Sequence, residues 1–278
     1  MFRRLSNSWE LTKASANVLS QDKELMVFPL ISAVMLVLVS AGFIAPIVVM
    51  SDSGNKRLDG PLGLVFSFAF YVVAYFVIFF CNSALVGAAL IRLRGGDPTV
   101  ADGFRIAGGK VGVIFSYALV AATVGMILRT IQERAGLLGR LVSGLFGMAW
   151  NLATFLVVPV LVNENLGPIE AVKRSTNLLK ATWGEQVVGN FGVSTVLTLA
   201  GFLLTLIFIP VVFLAASTEK APLIISAVAG YVVCLLGLAL VGATLSGIYT
   251  AALYRYASEG QMGQGFAPGM VKEAFRPK

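Results

Sequence analysis

Long unbroken apolar runs alternate with short charged stretches along this chain, and that alternation organises everything else. Six runs lack Asp, Glu, Lys and Arg: Leu25–Met50, Gly60–Ile91, Val111–Leu128, Leu141–Asn163, Gln186–Thr218 and Ala221–Tyr254. Each is long enough, at about 20 helical residues, to cross a hydrocarbon core of roughly 30 Å. Strands of a membrane barrel would alternate over segments of about ten residues, whereas these runs are continuous. The pattern predicts helices throughout, an all-α polytopic membrane protein with six transmembrane helices in three hairpins.

Between the runs the periodicity changes. In Asn163–Gln186, Pro168 suits the first turn of a helix, where its missing N–H would have no partner anyway. From there Ile169, Val172, Leu179 and Trp183 recur at helical spacing, and Glu170, Lys173, Arg174, Asn177 and Lys180 occupy much of the rest. This amphipathic helix is expected to lie in a membrane interface with its apolar face towards acyl chains. A second candidate covers Arg3–Ser20, with Leu5, Trp9, Thr12, Ala16 and Leu19 on one side and Arg4, Asn7, Glu10 and Lys13 near or opposite it. A third covers Pro98–Gly108, with Asp97 as its cap.

Each interfacial helix precedes a pair of runs, so the chain divides into three units, residues 3–91, 97–163 and 167–254. Together they form a single membrane domain over residues 1–257, followed by a cytoplasmic tail, 258–278, with a short last helix expected over Pro268–Phe275. The first and third units share an echo at an offset of 167: Ser8, Leu11, Lys13, Ala14 and Ser15 fall on Ser175, Leu178, Lys180, Ala181 and Thr182. The connections Ser51–Asp59, Arg129–Arg140 and Ser217–Lys220 are short and leave no room for an external domain.

Composition agrees: of 278 residues, 57% are hydrophobic and 13% charged, far from the roughly one quarter charged in a soluble domain. The first run is read as a retained helix, because 24 residues including Glu10, Asp22 and Glu24 precede it and it exceeds a signal-peptide core. The net charge of +7 is spread over loops and tails rather than gathered on one face, which argues against a nucleic-acid partner. Fifteen Lys and Arg fall on the side of the termini and six on the other, so the positive-inside rule places both termini in the cytoplasm of a prokaryotic cytoplasmic (inner) membrane.

The chemistry available is narrow. There is no histidine, which removes Ser-His-Asp and Cys-His arrangements and His-bearing metal sites. Cys81 and Cys234 sit within apolar runs and are expected to pack. The Gly-rich Arg94–Asp97 and Ala107–Lys110 lack the Walker pattern and its strand–loop–helix setting. No catalytic residue, cofactor or metal is expected. None of the runs holds an ionisable residue, which counts against a proton-coupled pump.

Neutral polar residues remain: Asn82, Asn151, Thr154, Asn190 and Ser194 are the candidate lining of a pore or cavity, with interhelical hydrogen bonding as the plainer alternative. Trp9, Lys13, Lys173, Arg174, Lys180 and Trp183 are the candidate lipid-headgroup contacts, the two Trp as interface anchors. Trp150 is more central and is expected to pack. Pro159 should free the Phe155 carbonyl and bend the fourth helix, with Asn163, Glu164 and Asn165 just beyond as a candidate cation or headgroup site. Small residues recur every fourth position at Gly139, Ser143, Gly147 and Asn151 and at Ala239, Ala243, Gly247 and Ala251, marking a close helix contact within the chain or a homo-oligomer seam.

The stretches SWELTKAS (Ser8–Ser15), KELMVFPLIS (Lys23–Ser32), VVPVLVNENLGPIEAVKRS (Val157–Ser175) and AFRPK (Ala274–Lys278) resemble a family of uncharacterised bacterial and archaeal six-helix integral membrane proteins. That domain of unknown function is distantly like the membrane domain of some glycerophosphodiester phosphodiesterases. The resemblance implies fold and topology and carries over no catalytic residue. Two functional readings stand at this point. One is a non-enzymatic membrane protein forming an oligomeric pore or passive transport path; the other is a lipid-interacting, membrane-organising protein.

Overall fold

A computed structural model describes residues 2–52, 61–134, 136–183, 192–218, 220–261, 263, 265 and 266. Its helices are α1 (Phe2–Gln21), α2 (Val27–Asp52), α3 (Pro61–Leu93), α4 (Val100–Gly108), α5 (Val111–Arg134), α6 (Gly136–Ala153), α7 (Val157–Asn163), α8 (Pro168–Trp183), α9 (Gly192–Ser217) and α10 (Ala221–Glu259). A 3-10 turn, Lys23–Met26, joins α1 to α2. Among the described residues six stretches are long and apolar enough to cross a membrane, the fourth of them, Gly139–Asn163, shared by α6 and α7. Among the described residues there is no strand. Within this order α2 packs on α3, α5 on α6, and α9 on α10.

The core is not distributed evenly along the spans. It joins Leu25 and Phe28 of the first span, Ala84–Leu93 of α3, Ile114 and Tyr117 of α5, Leu156–Leu161 around α7 and Leu245–Tyr254 of α10. These segments share one end of the bundle, where α1, α4 and α8 close over them. We call it the capped end. Helix length makes this layout available, since the 39 residues of α10 extend about 58 Å at 1.5 Å per residue, well beyond a hydrocarbon core of about 30 Å. By contrast, no residue in the most apolar window of α9 or of α10 is buried.

The capping helices dock through small residues and through faces the sequence only partly indicates. On α4, Gly103 lies over α3, where an added Cβ would come 2.7 Å from the Ala84 carbonyl oxygen and into the Phe28 ring. Thr99 caps this helix in a reciprocal box, its hydroxyl accepting from the Asp102 N–H while the Asp102 carboxylate accepts from the Thr99 N–H. Thr99, one residue beyond Pro98, therefore does the work expected of Asp97. On α1 the buried line is Leu11, Ser15 and Val18, with Ala14 and two residues of the expected side, Thr12 and Leu19, beside it. Trp9 and Ala16, expected on the apolar side, point away from the protein.

The reading of α8 needs the same correction. Its apolar face turns into the bundle rather than towards acyl chains: Ala171, Ser175, Leu178 and Leu179 are buried, and Val172 packs against the core. Of the residues expected to face lipid, Ile169 is exposed and the Trp183 side chain lies outside the described residues. The cause is packing. Ala171 and Ser175 are small enough to let α8 approach α7 closely, and Leu178 and Leu179 fill the space beyond. The echo between the first and third units survives in Leu11 and Leu178, which are both buried, but fails at Ala14 and Ala181, of which only the first is.

The fourth span is not one bent helix. It stops at Ala153, turns through Thr154–Leu156 and restarts as α7, so the break lies on the N-terminal side of Pro159. The Phe155 and Val157 N–H groups donate to carbonyls three residues back, at 3.2 and 3.0 Å. At the other end of the chain α10 runs to Glu259, and Phe266 is buried in the core. The path to Phe266 needs Gly263, whose φ of +103° is left-handed and whose missing Cβ would meet the Leu93 carbonyl and the Arg255 guanidinium. Residues 258–261, 263, 265 and 266 therefore belong to the capped end, while the tail helix expected over Pro268–Phe275 lies outside the described residues.

Candidate functional site

The densest polar structure is built around α7. Breaking a helix within an apolar span leaves backbone groups that lipid cannot satisfy. Here the buried Leu156 N–H donates to the Ser175 Oγ of α8 at 3.0 Å, so a side chain from another element closes the gap. Pro159 has no N–H to offer the Phe155 carbonyl, which explains why the regular ladder is lost on this side of it. Thr154, inside the turn, donates back to the Trp150 carbonyl at 2.8 Å.

Seven residues later α7 ends, and Glu164 leaves it in an extended conformation. Its carboxylate accepts from the Arg174 Nε of α8 at 3.1 and 3.2 Å and from the Tyr254 hydroxyl of α10 at 3.0 Å. The Tyr254 hydroxyl in turn accepts from Asn163 Nδ2 at 3.0 Å. Lys110, just ahead of α5, donates to the Asn165 side-chain carbonyl. The stretch Asn163–Asn165, expected as a cation or headgroup site, thus ties α5, α7, α8 and α10 together. Charge-assisted bonds of this kind are stronger than neutral ones.

Two further networks lie at the same end. Asp22, between α1 and the 3-10 turn, pairs with Arg92 of α3 at 2.5 Å, and Arg92 also reaches Asp97 at 3.4 Å and donates to the Gly96 carbonyl. Burial pushes the Asp22 carboxyl above its ordinary range, against the pull of Arg92. Arg94 and Arg255 share Glu259, at 2.7 and 2.9 Å, and Arg255 donates to the Leu93 carbonyl. These links pin the ends of α3 and α10 to the neighbouring loops. Among the described residues no group of three or more Cys, Asp or Glu is placed to hold a metal ion.

The residues expected to line a pore are placed on different surfaces. The Asn82 side chain, on α3, faces α10, with Oδ1 3.6 Å from where a Cβ at Gly247 would be. Asn151 is exposed on α6, which packs on α5 and α8; Ser194 is exposed on α9, which packs on α10 and α1. Thr154 belongs to the break, and Asn190 lies outside the described residues. Of the small-residue rows, Gly139 and Ser143 are buried on α6, and Gly247 and Ala251 are buried on α10, where Gly247 meets Leu85 of α3. Those halves serve contacts within the chain, whereas Ala239, Ala243 and Asn151 remain exposed.

Among the candidate headgroup contacts, Trp9 is 51% exposed and carries the Lys13 ammonium 5.7 Å from its ring centroid. Lys173 and Lys180 are exposed on α8, while Arg174 is engaged by Glu164. Sequence reasoning passed over Ser175 and Tyr254. A serine in the apolar face of α8 and a tyrosine near the end of an apolar run are the signals that could have drawn notice, but neither names its partner.

Residues 62–266 match the model of DUF6159, a family of unknown function. The chain belongs to this family. Of the four stretches behind the expected resemblance, the matched DUF6159 region contains only Val157–Ser175, the one that builds the break, the Glu164 junction and the start of α8. The link to glycerophosphodiester phosphodiesterases gains nothing from the match. A comparison with curated proteins found no match.

Proposed function

We propose that this DUF6159 protein is a non-enzymatic, lipid-interacting membrane protein, with its capped end on the cytoplasmic side of a prokaryotic inner membrane. One observation carries the reading. The main core cluster lies at the capped end, while the apolar spans of α9 and α10 bury nothing in their most apolar windows. Helices in lipid gain no hydrophobic free energy by meeting one another, so unburied apolar faces are satisfied by acyl chains. Lys13 beside Trp9 on α1, and Lys173 and Lys180 on α8, supply cations for anionic head groups, each worth about 1 kcal/mol near such a surface.

The passive-path reading stands second. Its candidate residues sit on helices with different neighbours, and the span break that could have lined water is closed by Ser175. Membrane lipids are the proposed partners; a homo-oligomer through the exposed parts of α6 or α10 is compatible with this reading, and no nucleic acid is involved.

The test is native mass spectrometry of the protein released from nanodiscs of mixed phosphatidylglycerol and phosphatidylcholine, alongside solute-flux measurements in liposomes. The expected result is retained phosphatidylglycerol, diminished when Lys13, Lys173 and Lys180 are changed to Ala, and no flux. Flux that falls on Asn82→Leu or Asn151→Leu, without selective lipid retention, would replace this reading with the pore.

A further inference from the structure

Two hydrogen-bonded contacts tie helix α8 to the fourth span, one at each end of α7. Ser175 reaches inward to the N–H of Leu156, at the N-terminal side of α7, where the bond is buried. Arg174, the preceding residue, reaches along the surface to Glu164, at the C-terminal side of α7. The two contacts differ in access: the Ser175 bond is sealed inside the protein, whereas Arg174 and Glu164 are 43% and 23% exposed. A helix is stiff over a single residue step, so a displacement of α8 that breaks one contact moves the other.

We propose that α8 is a latch on the discontinuous fourth span, in which the surface Arg174–Glu164 pair controls whether the buried Leu156 N–H is capped. With the pair formed, Ser175 is held against the break and α7 is fixed at both ends. When the pair opens, α8 lifts by its polar edge, Ser175 leaves Leu156, and the turn at Thr154–Leu156 becomes free to rearrange around Pro159. The Tyr254 hydroxyl keeps Glu164 on α10 in either state, so α8 is the element that moves. Any anionic group that competes for the Arg174 guanidinium acts on the latch from the surface. This inference is independent of the lipid reading, because it concerns the coupling of two contacts within the chain.

Amide hydrogen exchange of the full chain in nanodiscs, resolved to Leu156–Val158, tests it with Arg174→Gln, Ser175→Ala and the double variant. Losing one hydrogen bond corresponds to roughly two- to tenfold in an opening equilibrium. Arg174→Gln alters neither the Leu156 N–H nor the Ser175 hydroxyl, yet exchange of Leu156 is expected to rise by that factor. The double variant should exchange no faster than Ser175→Ala alone, and Ser175→Thr should stay near the parent. Amides of Ala84–Leu90 in α3 serve as the internal reference and should not change. Unaltered exchange at Leu156 in Arg174→Gln overturns the latch, as does an increase matched in α3, which would mean general loosening. If Ser175→Ala does not fold, Arg174→Gln against the parent decides alone.

Discussion

Two glycines of α4, five residues apart, should respond to alanine with opposite signs. At Gly103 an added methyl group would lie 2.7 Å from the Ala84 carbonyl oxygen, a backbone atom of α3, and would overlap the Phe28 ring. The ring can turn, but the carbonyl belongs to a helix packed on all sides, so α4 must lift away from α3. Overpacking of this kind costs about 1–3 kcal/mol. At Gly108 nothing lies within 4 Å of the added carbon, and the residue is helical. Removing glycine's freedom in the unfolded chain there stabilises by roughly 0.4–1 kcal/mol. For a chain of this size 1 kcal/mol shifts the melting midpoint by about 2–4 °C. Gly103→Ala should therefore lower the midpoint by several degrees and Gly108→Ala should hold or raise it, measured by fluorescence-detected size exclusion after heating in detergent. Equal midpoints for the two variants would refute the docking of α4 on α3 through Gly103.

Other perturbations reach the same end of the bundle. Tyr254→Phe removes the hydroxyl between Asn163 and Glu164 and should cost about 1–3 kcal/mol, seen as a lower melting midpoint, with no further loss when Asn163→Ala is added. The hydrogen bonds from Thr99 hold the Asp102 carboxyl below its ordinary range. A depressed carboxylate contributes stability above its unfolded pKa and loses it as pH falls through the folded value. Protection of the first-turn amides of α4, corrected for the intrinsic pH dependence of exchange, should accordingly fall as pH drops below the ordinary Asp value near 3.9, and Asp102→Asn should abolish that fall. Gly247→Leu, placed against Leu85 at the α3–α10 contact, should destabilise more than Gly237→Leu, where the surrounding space is open; the same heating assay ranks them.

The fold class was legible because an apolar run of more than 20 residues without a charge admits few structures. Helix starts were legible where chemistry marks them, as at Pro168. Which face of α8 turns inward was not, because small residues such as Ala171 and Ser175 carry little apolar signal although they set the closest approach. The same limit misplaced the apolar side of α1, where Ser15 is buried and Trp9 is exposed. Pro159 pointed to a bend in the fourth span, whereas the span is interrupted on its N-terminal side, where the turn is closed by Ser175, 19 residues away. The Glu164 junction joins residues 10 and 90 positions apart, and no local periodicity encodes such pairs. Tyr254 looks like any other residue of an apolar run until α7 is placed beside it.

Spin labels along α9 test the central claim most directly. Nitroxides at Leu199, Phe202, Leu206, Ile207, Val211 and Phe213, all exposed and spread over the helix away from the side where Thr205 and Phe208 meet Tyr231, would be read by power saturation in liposomes. The account predicts strong collisions with oxygen and weak collisions with a water-soluble nickel chelate at every one of these positions, deepest towards mid-span. A face of α9 that admits the nickel chelate, marking water, or one closed to both reagents, marking a protein partner, would contradict it.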